Sequence, residues 1–106
     1  GAGLAARIEM AGPAVLPGVE DLARAGVRTG AAVRNWASYG SDVILPSGIE
    51  DWRKDLLCDP QTSGGLLIAV APDQVQTVLD MALADGFGST RVVGRLEAGA
   101  PQVTVV

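Results

Sequence analysis

The stretch Leu56-Leu57-Cys58-Asp59-Pro60-Gln61-Thr62-Ser63-Gly64-Gly65-Leu66-Leu67-Ile68-Ala69-Val70 sets a helix end, a polar turn and an apolar segment in direct succession. Asp59-Pro60 stops the preceding helix, because the proline ring disfavours the α conformation at the residue before it. Gly64 and Gly65 then let the backbone bend, or approach a partner closely, before a strand begins. Between them Gln61, Thr62 and Ser63 bring an amide, two hydroxyls and free backbone N–H groups, which is the equipment of a small anion or phosphate cradle. The same residues also suit a plain connection in which Thr62 and Ser63 satisfy their own backbone and the glycines form a bulge at a strand entrance. Leu66 to Val70 is apolar at every position, so the expected strand is covered on both faces and central in its sheet.

Working outward, Ala6-Arg7-Ile8-Glu9-Met10 alternates apolar and polar, as a half-buried strand does. Pro17-Gly18 opens a short helix through Leu22 and Ala25 that Gly26 ends. Asp42 to Leu45 reads as a short strand stopped by Pro46. Ser47-Gly48-Ile49-Glu50 has the spacing of a capping box, so a helix is expected there, burying Ile49, Trp52 and Leu56. Pro72 and Asp73 begin the clearest helix, with Asp73 and Gln76 as a second box and Val75, Val78, Leu79, Ala82 and Leu83 on one face. Gly86 or Gly88 ends it. Arg91 to Leu96 and Gln102 to Val106 form two last strands around Gly99-Ala100-Pro101, an expected hairpin. The order predicts an α+β domain with helices on a mostly antiparallel sheet.

The 106 residues, 48% apolar and 19% charged, argue for one folded domain with a real core over a disordered tail. No apolar run is long enough to span a bilayer. The opening Gly1-Ala2-Gly3 carries neither an initiator methionine nor a signal peptide, and reads as a piece of a longer soluble protein. A net charge of −4 with scattered basic residues gives no stripe to neutralise phosphates, which speaks against nucleic acid as partner.

Cys58 is the single cysteine, which excludes an intrachain disulfide and fits a reducing cytoplasm. With no histidine as base or co-ligand, Cys58 at the end of an apolar helix reads as core, and a zinc site is not expected. Arg28 and Arg34, with Asn35, Trp36 and Tyr39 beyond, either line a cleft and offer guanidinium to a nucleotide phosphate or lie solvated over a helix whose Val33 and Trp36 pack inward. Asp21, Asp51, Asp55, Asp80 and Asp85 fall on predicted helices and read as solvated. Asp59 is the one aspartate near a candidate site, and as a turn residue it is a weaker cleft candidate, together with Arg34 and Asn35.

The string Asp59-Pro60-Gln61-Thr62-Ser63-Gly64-Gly65-Leu66-Leu67 after a helix ending Leu56-Leu57-Cys58 closely resembles the C-terminal domain of the selenophosphate synthetases, also called selenide, water dikinases. Gly3 to Met10 with Leu16-Pro17-Gly18-Val19 looks like the opening of the second half of that family, and Arg34-Asn35-Trp36-Ala37-Ser38-Tyr39-Gly40 is similar to the segment before its central helix. These anchors cover most of the chain, which answers to about the last third of a family member by domain size.

The resemblance implies a layered α/β/α domain, partly ferredoxin-like, of the aminoimidazole ribonucleotide synthetase superfamily. It docks on an N-terminal domain that dimerises and binds ATP, so the full-length protein is expected to be a homodimer. The implied reaction converts ATP, selenide and water to selenophosphate, AMP and phosphate with Mg²⁺. The reactive cysteine or selenocysteine, the lysine and the metal-binding aspartates of the family have no counterpart here, and its Asp-x-Thr-Gly-Phe-Gly-Leu-x-Gly-His motif precedes the part that this chain matches. No catalytic residue and no magnesium ligand is therefore assigned, and the chain alone is expected to be inactive, with Gln61, Thr62, Ser63, Gly64 and Gly65 as part of the cleft wall. The alternatives are a C-terminal domain of a thiamine phosphate kinase, purine synthesis or hydrogenase maturation enzyme, or a non-catalytic interaction module.

Overall fold

The structure, a computed structural model, describes residues 2–106; Gly1, the first residue of the opening read above, lies outside it. A four-stranded sheet runs in the order β2-β4-β1-β3, where β1 is Ala5–Ile8, β2 Val43–Ile44, β3 Gly94–Glu97 and β4 Val103–Val105. The helices are α1 (Val19–Arg24), α2 (Gly30–Tyr39), α3 (Asp51–Leu57) and α4 (Val75–Ala84). The α+β class expected from the sequence is thus present. The balance of strand directions differs: β1 is antiparallel to β3, but β1–β4 and β2–β4 are both parallel.

The expected hairpin of the last two strands is corrected with it. β3 and β4 do not pair with each other but flank β1 on opposite sides, so Gly99-Ala100-Pro101 is a crossing over the end of β1. The alternation of β1 explains why it takes the centre. Ile8 pairs with Val105 and Ala6 with Val103, so one face is apolar, while Arg7, Arg95 and Thr104 share the other.

The apolar face looks toward α2 and α3. Ile8, Val103 and Val105 on the sheet, and Trp36, Leu57 and Cys58 on the helices, surround a cavity of about 300 Å³. Cys58 and Val105 are buried, so the reading of Cys58 as a core residue is what the structure has. Gly26 ends α1 in a left-handed conformation, φ 87°, with Val27 N–H donating to the Leu22 carbonyl across it. Gly86 does the same for α4, whose following Phe87 N–H donates to the Ala82 carbonyl.

Neither capping box forms. Gly48 takes φ 76°, which no helix continues through, so α3 starts only after Glu50, whose carboxylate accepts from Arg53 Nε at 3.2 Å. At α4, Pro72–Gln74 make a 3₁₀ turn first, and Gln76 donates to Asp80 at 2.8 Å instead of closing on Asp73. The largest correction concerns Leu66 to Val70. This segment joins no strand ladder among the described residues, and Leu66 and Leu67 are 90% and 79% exposed. Uninterrupted apolarity tells that a segment requires cover and cannot tell where that cover is.

Candidate functional site

The loop singled out in the sequence leaves α3 from a fixed stem. Cys58 closes the helix, its N–H shared between the Lys54 and Asp55 carbonyls at 3.2 Å each. Its own carbonyl, beyond the reach of the helix ladder, accepts from Asn35 Nδ2 at 2.8 Å. Asp59 follows, and its Oδ1 accepts from the Thr29 hydroxyl at 2.9 Å. Thr29 is also the N-cap of α2, accepting from Ala32 N–H at 3.1 Å, so one hydroxyl donates to Asp59 and accepts from the helix it starts. Sequence reading placed Asn35 near a cleft but did not find Thr29; the Thr-x-x pattern ahead of an Ala-rich helix was the available signal.

Beyond Pro60 the chain makes a tight turn. Gln61 Nε2 donates to the Asp59 carbonyl at 3.4 Å, and Gly64 N–H to the Gln61 carbonyl at 3.4 Å. The left-handed residue of this turn is Ser63, φ 54°, and not one of the glycines expected to bend. Gly64 is required for another reason: a Cβ there would lie 2.7 Å from Gln61 Cβ. Gly65 meets no such neighbour, so the expected close approach does not occur at it within this chain. Gln61 to Gly65 are all exposed, which leaves the Thr62 and Ser63 hydroxyls facing outward.

The structure divides the remaining candidates. Asn35 and Asp59 join the stem; Arg34 stays exposed on α2, its guanidinium lying over Gly30. Arg28 reaches Asp55 across the α1–α3 side at 3.4 Å; the Arg28 side chain is largely exposed and that of Asp55 mostly covered, a pair of small energetic weight at this distance. It sits on a groove of about 620 Å³ lined also by Leu22, Val27, Trp52 and Asp59. Val33, expected inward, is 48% exposed, whereas Trp36 faces the cavity. Tyr39 at the same cavity has its phenol pushed above the ordinary value, first by desolvation and then by its contact with the Cys58 thiol. No group of three or more His, Cys, Asp or Glu side chains among the described residues is placed to hold a metal ion.

No protein-family model matches the chain. It is, however, 53% identical over 105 residues to the selenide, water dikinase of Pseudomonas straminea, a match of 99% of this chain and 29% of that protein. The enzyme of that name from Paraburkholderia xenovorans is 46% identical over 106 residues, all of this chain and 30% of the relative. By sequence, the chain belongs to the selenide, water dikinase family. The selenide, water dikinase of Rhizobium meliloti, 48% identical over 85 residues, extends the same likeness over 80% of the chain. The chain spans about 30% of the length of the selenide, water dikinases it matches, as a C-terminal domain does. No helix among the described residues is long and apolar enough to cross a membrane.

Proposed function

We propose that this chain is the C-terminal domain of a cytoplasmic selenide, water dikinase, which makes selenophosphate, AMP and phosphate from ATP, selenide and water. Its Gln61–Gly65 loop then forms one wall of the reaction cleft. The observation that carries the reading is the coincidence of a match along nearly the whole of this chain to proteins of that name with an exposed donor-bearing turn on a hydrogen-bonded stem.

Phosphoryl transfer depends on positioning and on neutralising charge at the phosphate oxygens. Thr62 and Ser63 would supply O–H donors, and the turn would keep water from the transferred group. Among the described residues no group of three or more His, Cys, Asp or Glu side chains is placed to hold a metal ion; in this reading Mg²⁺ and ATP belong to the N-terminal domain, on which this one docks in a homodimer. The chain alone releases no AMP from ATP and selenide.

Replacing Thr62→Val together with Ser63→Ala in the full-length protein tests the loop. Selenophosphate formation should fall on the order of a hundredfold. The fold should persist, because both side chains are exposed. Unchanged kinetics would return the loop to a plain connection. The exposed Leu66, Leu67 and Ile68 favour a second reading, an interaction module. A parent protein without the family's reactive cysteine, lysine and aspartates would select it.

A further inference from the structure

Two hydrogen bonds described above share a geometry that the cleft-wall reading does not itself require. Thr29 and Asn35 lie at the start and in the middle of α2, and they take hold of two consecutive residues, Asp59 and Cys58, where α3 ends. The bond from Asn35 goes to a backbone carbonyl and the bond from Thr29 to a side chain, so main chain and side chain are both fixed just before Pro60. Pro60 then sets its own φ, and Gln61 folds back on the Asp59 carbonyl. Only one residue separates this anchored pair from the turn that carries Thr62 and Ser63.

We propose that Asn35 and Thr29 are positioning residues for that turn: a two-point latch from α2 that sets where the Thr62 and Ser63 donors stand. The inference rests on the reading of Gln61–Gly65 as cleft wall. It adds that the aim of the donors is held from a different helix, through residues that touch no substrate. Asn35 is half-buried, and its amide donates to the carbonyl left over where α3 ends. An aspartate has the same shape but, ionised, has no hydrogen to donate and sets a negative oxygen against the Cys58 carbonyl. Thr29→Val keeps the shape and loses the hydroxyl; Thr29→Ser keeps the hydroxyl.

The first measurement is backbone ¹⁵N relaxation on the 106-residue chain and its variants. The latch predicts order parameters of about 0.85 at Thr62, Ser63 and Gly64 in the parent chain. It predicts values below about 0.6 in Asn35→Asp and Thr29→Val, with β1 and β4 amides unmoved and Thr29→Ser close to the parent chain. Turn amides that are already disordered in the parent chain, or that keep their order in both variants, overturn the latch.

The second measurement is turnover in the full-length protein. Asn35→Asp and Thr29→Val should lower kcat by about tenfold to a hundredfold, since a displaced group near 1 Å out of place costs up to that much, and Thr29→Ser should recover most of it. The two failures are separable. If the Thr62→Val/Ser63→Ala protein loses activity and Asn35→Asp does not, the latch is wrong and the wall stands. If the Thr62→Val/Ser63→Ala protein is fully active, the wall is wrong, and a catalytic role for the latch falls with it.

Discussion

The Arg24 guanidinium stands 4.2 Å from the centroid of the Trp52 ring, and Arg53 lies 4.7 Å from the same ring. Arg24 is the last residue of α1 and Trp52 lies in the first turn of α3, so this contact joins the two helices beside the groove that Leu22 and Val27 also line. Trp52→Ala should destabilise the chain by about 2–3 kcal/mol, less than a fully buried tryptophan costs. A double-mutant cycle with Arg24→Ala should give a coupling of about 0.5–1 kcal/mol, measured by urea unfolding. Zero coupling would mean that the arginine merely lies over the ring.

The exposed Leu66 and Leu67 lead to an expectation opposite to the one their sequence suggests. Leu67→Asp should change stability by no more than about 0.5 kcal/mol, as surface substitutions do. Were the segment a central strand, the same change would put a charge in the core and unfold the domain. Thermal unfolding of the variant decides between them.

These leucines show what the sequence makes legible and what it does not. β1 is readable because alternation is local, and the ends of α1 and α4 because Gly26 and Gly86 mark them within a few residues. The strand order is not readable, since the partners of β1 lie about ninety residues away and no spacing encodes them. The capping boxes had the right residues and failed on backbone conformation at Gly48 and at the Pro72–Gln74 turn. At the candidate site the turn was visible as composition. Its stem was not, because Thr29–Asp59 and Asn35–Cys58 are contacts across 30 and 23 residues.

The Gln61–Gly64 turn carries a residue in the wrong class at its left-handed position. Ser63→Gly should relieve the strain of φ 54° and stabilise the chain by about 0.5–1 kcal/mol after the loss of backbone entropy. Gly64→Ala should act in the other direction, because its Cβ would meet Gln61 Cβ at 2.7 Å. Denaturation midpoints of the two variants should therefore fall on opposite sides of the parent value.

Tyr39 is the single tyrosine, so absorbance near the phenolate band titrates it alone. Its pKa is raised chiefly by desolvation, with the Cys58 thiol contact adding to it. The folded state therefore holds its proton to higher pH than the unfolded chain does. Stability is untouched below the ordinary tyrosine range and declines as pH rises from there to the folded pKa. Cys58→Ala should bring the midpoint down only in part, leaving the larger contribution of desolvation. A midpoint at the ordinary value in the parent chain would contradict the packing of Tyr39 against Cys58.

The pairing of Ala6 with Val103 has a consequence for the timing of folding. The strand β1 is made about ninety residues before β4, the neighbour that joins it to β2. Until that neighbour arrives, β1 has an open side and the apolar face of the sheet has no complete partner. Such long-range closure slows folding, and the newly made domain waits with Ile8 and its surroundings uncovered, a period in which a chaperone has something to hold.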